Sequence, residues 1–226
     1  MNAVATDSYD HCRTPSRRAI YALLAAFAVI FIWSAIRPYD YFTWLLEVFP
    51  AILGLIVLAA TYRRFKFTTL VYGLIWAEAV VLLIGGHYTY AREPVFNWIR
   101  DNWHLSRNYY DRVGHFAQGF VPALVAREIL LRQRVVKRGG WLVFIVISVC
   151  LAMSALYELF EWRVSVAYGS SATDFLGTQG DVWDTQEDMA TALIGAIVAL
   201  ITLSHFHDTR LQPAPQAEAG TNATPC

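Results

Sequence analysis

The 226-residue chain is 56% hydrophobic and only 16% charged, with a mean hydropathy of +0.37. A soluble domain carries about 25% charged residues, so this composition excludes an ordinary soluble domain and points to a membrane protein. Eighteen Lys and Arg balance eighteen Asp and Glu. Net charge is therefore silent about anionic partners, and no nucleic-acid partner is expected. Cys12, Cys150 and Cys226 have neither CxxC spacing nor a plausible disulfide framework. Cys150 reads as a small buried apolar residue.

Residues 1–18 are polar, with Arg13, Arg17 and Arg18 just before the first apolar run. The segment reads as a cytoplasmic tail. The run from Ala19 to Ile36 holds no charge. It is too long for a signal-peptide core, and no small-residue cleavage site follows it, so it reads as a retained span. Phe42 to Tyr62 is the second expected span, with Glu47 near its start. Thr68 to Gly86 is the third, with Glu78 near its middle. A polar loop runs from His87 to Val113. Gly114 to Leu131 is the fourth span, Trp141 to Trp162 the fifth, and Met189 to Phe206 the sixth. The tail from Asp208 is rich in Pro, Ala, Thr and Gln, and disorder is expected there. The expected fold is an all-α polytopic membrane protein, a bundle of six transmembrane helices spanning 19–207.

Basic residues fix the orientation. Eleven Lys and Arg fall in the tails and in the two short loops after spans two and four, against six on the opposite side. The positive-inside rule then puts both termini in the cytoplasm. It also gathers three polar stretches on the outer side: the start of span four, the end of span five and the start of span six. Many aromatics, among them Trp33, Trp44, Trp98, Trp103 and Trp162, fall at span ends, the pattern of interfacial belts.

The chemistry sits in those three stretches. Asp111 and His115 are i and i+4 and share a helix face. Such a pair holds one divalent cation, or the acid orients the imidazole as a general base. The structural alternative is a favourable acid in a first helical turn. Glu158 and Glu161 fall in the last turn of span five, where the helix dipole opposes an acid and a metal, an arginine or water must compensate. Snorkelling into the headgroups is the alternative, and Glu161 fits it better than Glu158.

Asp184 and Asp188 open span six among Asp181 and Glu187. Asp184-x-x-Glu187 and Thr185-x-x-Asp188 resemble capping boxes. Asp188 is expected inside the bundle, beside a small-residue face of Ala192, Gly195, Ala196 and Ala199 that lets another helix approach. Together these predict one outer pocket of His115, Asp111, Glu158, Glu161, Asp184 and Asp188, countered by Arg107 and Arg112. His87 and Tyr90 leave span three on the same side and are expected near it. A histidine among several oxygens suits a divalent metal such as Zn or Mn. His115, Asp111 and Glu158 are the candidate catalytic residues. Arg127-Glu128 is expected to pair locally or snorkel, and His207 to cap the end of span six.

Four blocks in order, GGHYTYA, RNYYDRVGHFAQGFVPALVARE, YELFEW and FLGTQGDVWDTQEDM, resemble the bacterial inner-membrane YjdF family, a multi-spanning family of unknown function. The resemblance covers roughly residues 15 to 207 and implies an inner-membrane location; it supplies no reaction. The residues also resemble VanZ-like membrane proteins, which carry an Asp-Lys-x-x-His block, a Glu near the end of the next helix, and a later Asp-x-x-x-Asn-x-x-Gly block. Here these correspond to Asp111-Arg112-x-x-His115, Glu158 or Glu161, and Asp184-x-x-x-Asp188 with Gly195. The Lys is an Arg, the Asn is an acid and the Gly spacing differs. That resemblance implies a lipid or cell-envelope role at the outer leaflet. Three functions follow as expectations: a metal-assisted or acid/base enzyme on a lipid or envelope substrate, a non-catalytic membrane scaffold or resistance factor, and an ion- or proton-coupled transporter with Glu78 as a relay.

Overall fold

The computed structural model describes residues 14–169 and 173–211, with 173 and 174 described by backbone alone. Among these residues every regular element is helical: α1 (Arg17–Ala35), α2 (Tyr41–Thr61), α3 (Thr69–Tyr88), a 3-10 turn (Tyr90–Arg92), α4 (Pro94–Trp103), α5 (Tyr110–Arg132), α6 (Gly140–Tyr168), α7 (Thr173–Leu176) and α8 (Asp184–Leu211). Most of the tail expected at 1–18 lies outside the described residues, and α1 begins at Arg17. At the other end α8 continues through Asp208 to Leu211, so the helix is longer than expected; 212–226 lie outside the described residues.

Side-chain oxygens start the helices. Ser16, Asp40, Thr68 and Glu93 accept the backbone N–H of Ala19, Thr43, Val71 and Phe96 respectively. Each satisfies a donor that the first helical turn otherwise leaves orphaned, worth about 1 kcal/mol. The Glu93 cap, followed by Pro94 at the first position, explains α4. That helix was not foreseen inside the loop from His87 to Val113. It ends at His104 in the left-handed region, φ 52.

Among the described residues five helices, α1, α2, α3, α6 and α8, are long and apolar enough to cross a membrane. The remaining stretch expected to span corresponds to α5, which is not among these five. It has 23 residues, ample length for a span, but not the required composition. The reason is that α5 lies innermost, against α3, α6 and α8. Its buried face holds Asp111, His115, Arg127 and Glu128, groups that lipid does not tolerate. By contrast α1 buries only Ser34 and exposes Tyr21, Val29 and Ile32.

Contacts set the directions. Glu128 near the end of α5 accepts from the backbone N–H of Thr68, just ahead of α3, at 2.9 Å, and Tyr110 at the start of α5 donates to the Val81 carbonyl of α3 at 2.9 Å. The two helices are antiparallel. Arg112 pairs with Asp188 near the starts of α5 and α8, and Arg127 with Asp208 near their ends. These two helices are parallel and very close. A Cβ on Gly119 would run into the carbonyl of Ala192, and one on Gly195 into the carbonyl of Phe116. The small face of Ala192, Gly195, Ala196 and Ala199 is buried throughout, as expected. An apolar core of Val71, Leu124, Val146, Cys150, Ala196 and Leu200 fills the space between α3, α5, α6 and α8.

Two polar groupings close the bundle at its ends. At the end where α5 finishes, His207 is fully buried with Nε2 3.1 Å from Glu128 and Nδ1 2.9 Å from Arg127. Glu128 also accepts from the Thr68 hydroxyl at 2.8 Å and from Arg132 at 2.8 Å. This corrects two expectations. His207 does not cap α8, and Arg127-Glu128 does not merely pair locally or snorkel: all three tie α3, α5 and α8 together. The second grouping, where α5 and α8 begin, is the site.

Candidate functional site

Asp111 lies in the first turn of α5, and His115 follows one turn later on the same buried face. His115 Nε2 is 3.5 Å from Asp111 Oδ1 and 3.5 Å from Asp188 Oδ1 of α8. Ligand atoms of Asp111, His115 and Asp188 all lie within 4.8 Å of one another, and all three residues are buried. The other imidazole nitrogen, Nδ1, faces Glu158 Oε1 of α6 at 3.7 Å. Neither of these two atoms makes a hydrogen bond. Unpaired polar atoms in a buried place are uncommon and call for a reason.

Two arginines clamp the entrance. Arg107 pairs with Asp184 and Asp111, and reaches Asp181 at 3.3 Å. Arg112 pairs with Asp188, with Asp184 at 3.0 Å and with Glu187 at 2.9 Å. Asp184 thus serves the arginines rather than a capping box: its carboxylate oxygen is taken by both guanidiniums. Arg107 also donates to the carbonyl of Gly177 at 3.2 Å, which pins the connection before α8 over the site.

The expected location of Glu158 and Glu161 is corrected. α6 runs to Tyr168, so Glu161 sits about two turns and Glu158 about three turns inside the helix end, and both are buried. Snorkelling does not describe them. Glu161 joins the electrostatic neighbourhood of Glu158, Asp111 and Asp188 without standing beside His115. His87 is elsewhere: its Nδ1 is 3.1 Å from the Ser34 carbonyl and its ring lies 4.4 Å from that of Trp33.

Sequence reasoning missed Glu47 and Tyr157, whereas Tyr90 was expected on this side. Glu47 of α2 is 4% exposed and lies close to Tyr90, Tyr157, Asp111 and His115. The Tyr157 ring stands 6.2 Å from that of His115, and its hydroxyl is near the Glu47 carboxylate. The Tyr90 ring fills the space left by Gly85 and Gly114; a Cβ on Gly114 would come within 2.7 Å of it. Burial and the nearby Glu47 carboxylate push the Tyr90 hydroxyl well above the usual tyrosine range, so it stays a neutral O–H donor. The acid in α2 was visible in the sequence; the face it occupies was not.

The sum of these groups is lopsided. Glu47, Asp111, Glu158, Glu161, Asp184 and Asp188 are all buried here. The countering guanidiniums are those of Arg107 and Arg112, and both are turned toward the aspartates. Buried carboxylates persist when paired, protonated or bound to a metal. The arrangement can therefore hold protons or a divalent cation between α5 and α8, with an imidazole at its centre.

Residues 19–209 match the family described as Predicted membrane protein (DUF2238). The chain is also 50% identical over 184 residues to Inner membrane protein YjdF of Escherichia coli (strain K12), covering 81% of this chain and 88% of that protein. The resemblance of the four sequence blocks to the YjdF family is thereby borne out. No solved structure matches. The chain belongs to the DUF2238 family of predicted membrane proteins.

Proposed function

We propose that this protein is a multi-pass inner-membrane protein in which α5 forms a sixth, protein-enclosed span, both termini are cytoplasmic, and the pocket opens to the outer side. In this reading the pocket binds a divalent cation such as Zn or Mn and acts on a lipid or cell-envelope substrate. Asp111, His115 and Asp188 hold the ion. Glu158 faces the far nitrogen of His115, the place from which a carboxylate orients a metal-bound imidazole. Such an ion supplies Lewis-acid polarisation of a substrate oxygen or of water. Glu158 and His115 are then the groups placed to hold or move a proton.

One observation carries the reading: His115 Nε2 stands 3.5 Å from each of two aspartate oxygens. That is long for a hydrogen bond. It matches two ligands about 2.1 Å from a common tetrahedral ion, which lie about 3.4 Å apart. The test is the metal content of the purified protein, with His115→Ala and Glu158→Ala alongside it. Absence of metal in every preparation, with unchanged stability, ends the metal reading. A second reading is a non-catalytic scaffold, favoured by the pairing of Asp184 and Asp188 to arginines, which by itself knits α5 to α8.

A further inference from the structure

We propose that a cavity beside the buried cluster binds the phosphate of an anionic membrane lipid. This deepens the reading above, on which it rests, by naming the substrate class. The cavity measures about 440 Å³ and is walled by Arg92, Asn97, Arg100, Gly177, Gln179 and Gly180 among others. Among the described residues no carboxylate lines it. The Asn97 and Gln179 amides are held by the carbonyls of Arg92 and Asn108, which leaves the two guanidiniums as the charged donors, a pair that suits a phosphate.

The arginines are placed for a ligand rather than for each other. Arg92 lies over the Tyr39 ring at 4.3 Å. The stack fixes the guanidinium plane and leaves its N–H edges free. Among the described residues no carboxylate pairs with Arg92. Arg100 pairs at 2.8 Å with its neighbour Asp101, whose side chain is 64% exposed and lies off the cavity wall. A pair so exposed yields easily to a phosphate.

The wall between cavity and cluster is built, not incidental. Gln179 and Asn108 exchange two hydrogen bonds of 2.9 Å. Gly177 accepts from Arg107, the same guanidinium that pairs with Asp184 and Asp111. A phosphate seated against Gly177 to Gly180 is thus one residue from the arginine clamp over His115. The depth suits a lipid as well. Helix α4, which supplies Asn97 and Arg100, exposes Val95, Trp98 and Trp103, the residue types that settle at headgroup level.

Native mass spectrometry of the full-length chain in detergent tests this, with phosphatidylglycerol, phosphatidylcholine and inorganic phosphate as probes. Phosphatidylglycerol is expected to bind best, and Arg92→Ala and Arg100→Ala each to weaken it about tenfold. Arg92→Lys and Arg100→Lys keep the charge but lose the planar fork, and retain the fold if the alanine variants do not; a several-fold weakening is expected from them. Equal phosphatidylglycerol binding in the wild type and the folded variants overturns the proposal. So does phosphatidylcholine binding as tightly as phosphatidylglycerol. Inorganic phosphate that competes fully with phosphatidylglycerol means that the group recognised is free phosphate, which overturns the lipid assignment. Metal content measured on the same samples separates the two ideas: arginine-dependent lipid binding without metal leaves the cavity standing and removes the metal site.

Discussion

The Nε2 atom of His115 lies 3.5 Å from a carboxylate oxygen of Asp188, and that approach joins α5 to α8 deep inside the protein. It is possible because two glycines let the helices close. The same contact that makes the site therefore depends on packing several residues further along. Gly119→Val or Gly195→Val, either of which drives a side chain into the facing backbone, is expected to cost about 1–3 kcal/mol. Gly73→Ala, with open space around its Cβ position, is the control and leaves stability unchanged or raises it by about 1 kcal/mol. Thermal unfolding in detergent distinguishes them.

Arg107 is 4% exposed and pairs with Asp184, itself 6% exposed. Removing one partner strands a buried charge. Arg107→Ala is expected to destabilise the protein by about 3–5 kcal/mol. Adding Asp184→Asn to it returns part of that loss, because the stranded carboxylate is gone. A double-mutant cycle of unfolding midpoints reads the coupling; strict additivity would mean that the pair is not formed.

Metal binding at His115 and the aspartates requires the deprotonated ligands, so lowering the pH sets protons against the ion. Affinity is expected to fall steadily from about pH 8 to about pH 5, as protons compete with the ion for the imidazole and the carboxylates. Equilibrium dialysis against zinc across that range checks the sign. Affinity that rises on acidification contradicts the ligand set.

Glu158→Gln removes the carboxylate that faces His115 Nδ1 at 3.7 Å while keeping its shape. A metal-binding imidazole loses orientation without such a partner, and affinity is expected to drop about 10–100-fold. Competition with a chelator measures it. At the far end, Glu128→Gln disturbs the bonds to Thr68, His207 and Arg132. About 1–3 kcal/mol of stability is expected to go, with metal affinity unchanged.

Much of this was legible in the sequence. Hydropathy located the long helices, and the i, i+4 spacing of Asp111 and His115 put them on one face. The small residues of α8 announced a close neighbour. What could not be read was which face each acid occupied. Glu47 read only as an acid near the start of a span, yet it is buried toward His115. Asp184 looked like a cap because capping boxes are local patterns; its partners Arg107 and Arg112 are brought to it by the tertiary fold. α4 was hidden because its ten residues lie in a polar stretch between two spans, although its amphipathic pattern, its cap and its proline were all there to be read. The extension of α6 past Trp162 to Tyr168 was missed because Arg163 read as a span boundary, although backbone hydrogen bonds, not hydropathy, decide where a helix ends.

The most direct test of the account is elemental analysis of the purified full-length chain after exposure to zinc and manganese, beside His115→Ala and Asp188→Asn. The account predicts about one tightly held divalent ion per chain in the wild type and its loss from both variants while their helical content is unchanged. Wild-type protein that stays free of metal, or variants that retain as much as the wild type, would contradict it.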